Sequence, residues 1–267
     1  MDEWKPQNLH FAQARCGICG LLIAQPQADS NAMVRYYGEL YYDRVSAQEN
    51  FALALSVHSR CEMPLIRQLW RDWPPPQKAT LAEIGCGNGA FLKLFIDAGY
   101  TIRGAELGAQ AVDFCRAQGL DVVQGDASSL ICAEGYDVVL ANQVIEHVPD
   151  PQAFACDMVS LAKPGGVVVI LTEDAAASQY RWQHLSSRLS LRIPRFQTSS
   201  DHTFVFRDCH LRTLLMRAGC CDVRTKSLTH PAPPESLHWK LYKGTFRLLD
   251  RFLGHGIFLM AVARRTS

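Results

Sequence analysis

The chain has 267 residues, of which 48% are apolar and 20% are charged, a balance typical of a globular protein with a substantial core. The 27 Lys and Arg residues face 26 Asp and Glu residues, so no global basic excess favours nucleic acid. The first ten residues lack the apolar stretch of a signal peptide, and no apolar run approaches the ~18 residues of a membrane span. We therefore expect a cytoplasmic protein whose ten cysteines are thiols, metal ligands or small core residues.

The chain divides at a run of prolines. Residues 1–45 are expected to be irregular, and apolar residues recur at helical spacing over about 46–73, with a new helix beginning at Pro64. The prolines at 74–76 cannot continue a helix and predict a stiff linker. The predicted domains are an N-terminal cap, 1–75, and a larger domain, 76–267.

After the linker, strands and helices alternate. This rhythm predicts an α/β fold with a mostly parallel sheet and helices on both faces. The predicted strands are 81–84, 101–105, 121–124, 136–141 and 167–171, and the helices between them are 90–98, 109–118 and 151–162. The rhythm breaks at an irregular insertion, 173–206, and resumes with a helix at 207–218 and strands near 221–227 and 257–263.

Glycines follow the first strand of this domain. Gly85, Gly87 and Gly89 lie at a strand-to-helix turn, where small residues let a ligand approach the backbone. Glu106 ends the second strand, where a carboxylate can accept hydrogen bonds from both hydroxyls of a ribose. These features predict a nucleoside site, but NAD and S-adenosylmethionine both carry a ribose.

Three further features distinguish the two cofactors. Glu83 faces the glycine turn, where a carboxylate suits a cationic sulfonium better than a pyrophosphate. Asp126 follows the third strand, where it can accept a hydrogen bond from an adenine amino group. The segment 142–151, NQVIEHVPDP, follows the fourth strand.

At this point the sequence resembles the class I S-adenosylmethionine-dependent methyltransferases. The nearest branch contains the ubiquinone-pathway O-methyltransferases and the methyltransferases of bacterial sugar and polysaccharide gene clusters. The matching stretches are EIGCGNG, GAELG, QGDA, YDVVLANQVIEHVPDP and LAKPGGVVVI, in family order over roughly residues 80–172. DHTF at 201–204 and the last strand region extend the match towards the C-terminus. The resemblance implies a Rossmann-like seven-stranded sheet in the order 3-2-1-4-5-7-6, with strand 7 antiparallel.

The resemblance also implies a set of residues that bind S-adenosyl-L-methionine. The glycine turn would surround the methionine part, Glu106 would hold the ribose, and Asp126 with Ala127 would contact the adenine edge. Asn142 and Gln143 would close the site beside the transferring methyl. The complete predicted set is Glu83, Gly85, Cys86, Gly87, Asn88, Gly89, Glu106, Leu107, Asp126, Ala127, Asn142 and Gln143.

Transfer to a hydroxyl also needs a proton acceptor. His147 is the predicted general base, because imidazole titrates near neutrality and the residue follows the fourth strand; alternatively, it only shapes the loop. His202 is a predicted active-site residue of a lid, with a structural role as the alternative. Some ubiquinone-type relatives bind a divalent metal through E-x-x-E-H, but Gln143 replaces the first carboxylate here, so we predict no catalytic metal.

Two segments remain. Within the insertion, residues 175–200 contain no Asp or Glu but four arginines: Arg181, Arg188, Arg192 and Arg195. If this segment covers the small-molecule acceptor, the acceptor is expected to be anionic; a solvated or membrane-facing loop is the alternative. Cys16 and Cys19 resemble half of a zinc ribbon, but residues 1–15 contain no cysteine, which favours a degenerate knuckle.

The predicted function is methyl transfer from S-adenosyl-L-methionine to a small molecule, with O-methylation of a sugar-like or secondary metabolite favoured. The alternatives are an NAD-dependent oxidoreductase and a non-catalytic methyltransferase-like partner subunit. No nucleic acid and no membrane span is expected. The sequence leaves the identity of the acceptor and the oligomeric state open.

Overall fold

A computed structural model describes residues 12–25, 30–41, 47–178, 180–182, 202–228, 244, 248–250 and 252–267. In chain order its strands are β1 (Ala12–Arg15), β2 (Leu22–Gln25), β3 (Thr80–Ile84), β4 (Thr101–Glu106), β5 (Val122–Gln124), β6 (Tyr136–Asn142), β7 (Ala162–Glu173), β8 (Phe204–Val205), β9 (Cys220–Leu228) and β10 (Phe258–Arg265). Its helices are α1 (Ser30–Arg35), α2 (Ala47–Val57), α3 (Met63–Leu69), α4 (Ala90–Asp97), α5 (Ala109–Ala117), α6 (Pro151–Leu161) and α7 (Asp208–Arg217).

A seven-stranded sheet has the order β5-β4-β3-β6-β7-β10-β9. The strands from β5 to β7 pair in parallel, and β10 runs antiparallel to both neighbours, β7 and β9. Counted from β3, this is the predicted order 3-2-1-4-5-7-6 with strand 7 antiparallel, so the predicted fold class is confirmed. Because the carboxyl ends of β3, β4, β5 and β6 meet at one edge, the loops after these strands converge there.

Both faces of the sheet are covered, which explains the continuous apolar runs in its central strands. In β7, residues from Val167 to Leu171 alternate between two buried clusters, one beneath α6 and α7 and the other beneath α3, α4 and α5. Asp150 begins α6 by accepting hydrogen bonds from the backbone N–H groups of Gln152 (2.9 Å) and Ala153 (3.0 Å), with Pro151 in the first turn.

The N-terminal segment is more ordered than its sequence predicts. The expectation of irregular structure over 1–45 is wrong where the structure describes it, because β1 and β2 form an antiparallel hairpin and α1 follows. The hairpin pairs with β8, with Leu22 opposite Val205, so its backbone hydrogen bonds are completed by a strand from the far end of the predicted insertion. The division at residue 75 remains a prediction.

The segment 47–69 contains a π-helical turn at His58–Glu62 between α2 and α3. This segment packs on α4 and α5, and the His58 ring stacks on Phe91 with centroids 4.0 Å apart. No helix in the described residues is both long enough and apolar enough to cross a bilayer.

Candidate active site

A cavity of about 810 Å³ opens at the carboxyl edge of the sheet, within the size range of sites for small-molecule cofactors. Most of the predicted cofactor residues and both predicted catalytic histidines line this cavity; they are Gly85, Gly87, Glu106, Leu107, Asp126, Ala127, Asn142, Gln143, His147 and His202. The sequence therefore located the residues that the fold brings together at one edge. Their roles toward a ligand stay predictions.

The glycine turn is shaped by close packing. Gly85 has φ +65°, and a Cβ atom on it would lie 2.7 Å from Cγ2 of Val144, in the loop after β6. Gly89 begins α4 with φ +74°, and a Cβ atom there would lie 2.4 Å from Cδ1 of Leu120. Both positions thus require glycine, but Gly89 meets the protein core and Gly85 lies at the cavity.

Glu106 is held at the cavity by the backbone on both sides. Its Oε2 accepts a hydrogen bond from the N–H of Gly87 (2.9 Å), and its Oε1 accepts one from the N–H of Gly108 (2.9 Å). The carboxylate thus joins the turn after β3 to the turn after β4. Asp126 is similarly fixed, because its carboxylate accepts hydrogen bonds from the N–H (2.9 Å) and the hydroxyl (2.6 Å) of Ser128.

Four predicted cofactor residues lie outside the set that lines the cavity: Glu83, Cys86, Asn88 and Gly89. Glu83 is buried beneath the glycine turn, and its Oε2 has no hydrogen-bond partner. Burial, followed by the nearby Cys115 and Glu106, raises the pKa of Glu83 well above its usual range. Its assignment as a cofactor-binding residue remains a prediction, and the structure places it one layer behind the cavity wall.

Cys86 and Asn88 serve the packing and the backbone of the same turn. The Cys86 thiol is buried against Cys115, whose hydrogen bond and the burial itself raise the pKa of Cys86. Asn88 Oδ1 accepts a hydrogen bond from the N–H of Ala90 (3.3 Å) at the start of α4. Direct contact of these two side chains with a cofactor also stays a prediction.

His147 contacts a residue of the N-terminal segment. The Tyr37 hydroxyl lies 2.7 Å from Nδ1 of His147, and the two rings meet edge to face with centroids 5.2 Å apart. Tyr37 lies in the π-helical turn Tyr36–Leu40, and Tyr41 caps the end of this turn. Both tyrosines line the cavity together with Met33 of α1. Sequence reasoning missed this contact, since nothing in the spacing of the tyrosines links them to a loop 110 positions away.

His202 joins His147 to a partly buried acidic group. The two imidazole rings meet edge to face with centroids 4.6 Å apart, and His202 Nδ1 lies 3.1 Å from Glu173 Oε2. Tyr180 donates a hydrogen bond to the same carboxylate. Although burial opposes it, these contacts hold the pKa of Glu173 below its usual range. Glu173 and Tyr180 are further residues that the sequence analysis did not single out.

Glu146 is fully buried beside the two histidines. Its Oε2 accepts a hydrogen bond from the Thr172 hydroxyl (2.8 Å), and its backbone carbonyl accepts from the N–H groups of Thr203 (2.8 Å) and Phe204 (3.0 Å). Burial raises the pKa of Glu146 to about 7. One ligand-type atom each of Glu146, His147 and His202 lies within 4.8 Å of the others. Thr172 engages Glu146 Oε2 and Tyr37 contacts His147 Nδ1, whereas Glu146 Oε1 is buried without a hydrogen-bond partner among the described residues. This arrangement does not test the prediction of no catalytic metal.

Cys16 and Cys19 lie in the turn of the β1–β2 hairpin, away from this cavity. The N–H of Cys16 donates to the Leu21 carbonyl and the N–H of Gly20 donates to the Cys16 carbonyl, both at 2.9 Å. Backbone N–H groups of Cys19 and Ile18 that face its thiolate lower the pKa of Cys16. The turn is shaped like a knuckle, yet no group of three or more ligand-type side chains in the described residues includes it. Arg188, Arg192 and Arg195 lie outside the described residues.

The comparisons with known proteins agree with this geometry. A protein family described as a methyltransferase domain matches residues 58–225. Among curated proteins, the chain is 26% identical to a ubiquinone biosynthesis O-methyltransferase of Thiobacillus denitrificans over 178 residues, covering 63% of this chain and 75% of the relative. It is 34% identical to the protein of the same description from Caulobacter vibrioides over 134 residues, covering 44% of this chain and 53% of the relative.

Several of these matches span only about half the length of the relative. Among solved structures, the magnesium protoporphyrin IX methyltransferase of Synechocystis, which has S-adenosylhomocysteine bound, superposes with a TM-score of 0.56 at 14% identity. That superposition covers 89% of this chain and 100% of the neighbour, and it shows a shared fold.

Proposed function

Because the chain belongs to the class I S-adenosylmethionine-dependent methyltransferases, with S-adenosyl-L-methionine as their cofactor, we propose that it transfers a methyl group to a hydroxyl of a small-molecule acceptor. One observation carries the proposal. The glycine turn, the fixed Glu106 carboxylate and His147 all line a single cavity at the carboxyl edge of the sheet. The favoured acceptors are sugar-like or secondary metabolites with an anionic group.

In this proposal the cofactor lies along the carboxyl ends of β3, β4, β5 and β6. The methionine part faces Gly85 and Gly87, and the ribose hydroxyls donate to Glu106. Leu107 packs on the adenine, and Asp126 with Ala127 contacts its edge. The positions of these residues around one cavity support the assignment. Asn142 and Gln143, at the end of β6, lie where the sulfonium methyl would face the acceptor.

Methyl transfer is an in-line displacement, so the protein mainly has to align a nucleophile within about 3–3.5 Å of an already activated carbon. A hydroxyl must also lose its proton. In one tautomer of neutral His147, Nδ1–H donates a hydrogen bond to the Tyr37 oxygen. Nε2 then keeps a lone pair that can accept the proton of the acceptor hydroxyl. Tyr37 is then a positioning residue for the base.

The imidazolium formed in this step needs nearby negative charge. Glu173, whose pKa is held low, lies next to His202, and His202 lies against His147. We therefore place Glu173 as the negative charge that stabilises the protonated His147, with His202 as the side chain that lies between them. The cavity wall formed by Met33, Tyr37 and Tyr41 would exclude water from the reacting atoms.

The site of action is proposed to be the cytoplasm. All ten cysteines are free thiols in the structure, which supports a reducing compartment. No observation favours an NAD-dependent oxidoreductase over the methyltransferase, and the family match weighs against it.

A thermal-shift comparison of ligands tests the proposal. S-Adenosylhomocysteine should raise the melting temperature and NAD should not, because S-adenosylhomocysteine keeps the nucleoside and amino-acid parts of the proposed cofactor. Stabilisation by NAD alone would contradict the proposal. Binding of S-adenosylhomocysteine without methyl transfer to any acceptor in a broad hydroxyl panel would instead identify a non-catalytic subunit.

A further inference from the structure

A second cavity, of about 400 Å³, lies outside the one proposed for the cofactor. Three arginines line it, Arg15 at the end of β1, Arg181 and Arg207, together with Leu22 and Tyr180. We call it the arginine cavity. The three guanidinium groups come from the N-terminal hairpin, from the segment after β7 and from the residue before α7, so only the folded chain brings them together.

Within the part of the chain that the structure describes, no carboxylate balances the positive charge of the arginine cavity. No Asp or Glu of these residues lines the cavity, and none of its three arginines forms an ion pair with them. Arg15 contacts the Gly20 carbonyl, at 3.5 Å. By contrast, Arg224 pairs with Asp72 at 2.9 Å, and Asp208, beside Arg207, has its carboxylate 3.9 Å from Arg212. Three like charges around one concavity favour an anion between them.

A chain of side-chain contacts connects the arginine cavity to the proposed active site. Tyr180 lines the arginine cavity, and its hydroxyl donates to Glu173. Glu173 contacts His202 at 3.1 Å, and His202 lines the larger cavity. Two side chains, Tyr180 and Glu173, therefore lie in series between a molecule in the arginine cavity and His202.

We propose that Arg15, Arg181 and Arg207 bind the phosphoryl group of a small molecule. Guanidinium groups match the oxygens of a phosphoryl group with paired hydrogen bonds, and three of them suit a dianion better than a single carboxylate. A volume of about 400 Å³ also exceeds that of phosphate alone, which leaves space for the group that carries it. This phosphoryl site lies outside the cavity proposed for the cofactor, and it does not rest on the proposed function.

Calorimetric titration with inorganic phosphate tests the site without any need for methyl transfer. The full chain is compared with Arg15→Gln and Arg207→Gln. The matched control is Arg217→Gln at the end of α7, whose side chain is exposed and outside the cavity. Each cavity variant should weaken phosphate binding by about tenfold, since each removes charge-assisted hydrogen bonds, and the control should bind like the wild type. Circular dichroism confirms that each variant is folded, and the two separate cavity variants provide independent readings.

Two further titrations locate the site and identify its chemistry. Phosphate should bind equally well in the presence of saturating S-adenosylhomocysteine, because the two cavities are distinct, and acetate should bind at least tenfold more weakly than phosphate. Any of four results would overturn the proposal. Phosphate does not bind; all four proteins bind it with equal affinity; S-adenosylhomocysteine displaces it; or acetate binds as tightly as phosphate. Failure of S-adenosylhomocysteine to bind while phosphate binding persists would contradict the proposed function and leave the phosphoryl site standing.

Discussion

The hydroxyl of Tyr37 lies 2.7 Å from Nδ1 of His147, although 110 positions separate the two residues in the chain. This contact connects the N-terminal segment to the loop after β6. It gives His147 a defined orientation at the cavity, and it makes the N-terminal segment part of the proposed active site.

Removal of this hydrogen bond tests its role. Tyr37→Phe should lower kcat by about tenfold with little change in the KM for S-adenosyl-L-methionine, because the base loses the partner that fixes its tautomer. Nitrogen NMR of the His147 side chain should show the Nδ1–H tautomer in the wild type and a mixture in the variant. Tyr100→Phe, outside both cavities, is the control. The same tautomer population in wild type and Tyr37→Phe would exclude a positioning role.

Replacement of the base tests its chemistry. His147→Ala should lower kcat at neutral pH by about 10²–10⁴-fold, the range typical of general acid–base catalysis. The dissociation constant of S-adenosylhomocysteine should change less than about twofold, since the imidazole acts on the acceptor. His255→Ala, which does not line either cavity, serves as control. Unchanged turnover would leave His147 with a loop-shaping role only.

The buried Glu146 predicts a pH dependence of stability. Its pKa is raised from 4.5 to about 7, so the folded state favours the protonated form. Protonated Glu146 therefore contributes to the free energy of unfolding. This contribution is fully present below pH 4.5 and is lost as the pH rises through 7. The charges of His202 and Glu173 act on Glu146 in opposite directions.

Glu146→Gln removes this titration and should lessen the decline in unfolding free energy between pH 5 and pH 7.5, measured by urea denaturation. The raised pKa of Glu83 is present in both proteins and cancels in the comparison. Glu134→Gln, in an exposed loop, is the control. An identical decline in wild type and Glu146→Gln would contradict burial of an ionisable Glu146.

The glycine turn offers a matched pair of substitutions. Gly85→Ala combines a positive φ with a Cβ 2.7 Å from the Val144 side chain, whereas Gly119→Ala has φ +75° and no atom within 4 Å. Gly119→Ala should therefore cost about 1 kcal/mol of stability for its backbone alone, and Gly85→Ala should cost about 1–3 kcal/mol more. Chemical denaturation measures both.

The double variant Gly85→Ala with Val144→Ala separates the two costs at residue 85. It should recover part of the stability relative to the sum of the single variants, because the side chain that the new Cβ meets is shortened. Equal losses for Gly85→Ala and Gly119→Ala would show that the close approach of Val144 has no energetic consequence.

The absence of a metal requirement is also testable. Gln143 stands where a carboxylate would complete an E-x-x-E-H set, so the segment offers one carboxylate fewer to a hard cation. Methyl transfer should therefore be unchanged by EDTA. Loss of activity with EDTA and recovery with magnesium would contradict this prediction.

Much of the larger domain could be predicted because its information is local. A few consecutive residues specify each feature. The apolar run 167–171 predicts a strand, the glycines at 85–89 predict a turn, and the pair Asp150–Pro151 predicts the start of a helix. The carboxyl-edge rule for parallel sheets then places Glu106, Asp126 and His147 together. These steps need no knowledge of distant contacts.

The unpredicted features depend on contacts between distant segments. The hairpin β1–β2 is completed by β8, whose two residues are too few to predict a strand from sequence. Tyr37 reaches His147, and Tyr180 reaches Glu173, only after the chain has folded. Glu83 is buried near the end of β3 and is not among the residues that line the cavity, so its predicted role towards the cofactor stays a prediction.

Calorimetric titration with S-adenosylhomocysteine tests the central claim most directly. We predict binding to the wild type, loss of at least about tenfold in affinity in Glu106→Ala, because two hydrogen bonds to a carboxylate are removed, and unchanged affinity in the exposed control Glu134→Ala. Absence of binding to the wild type, or equal affinity in all three proteins, would contradict a cofactor site built on Glu106.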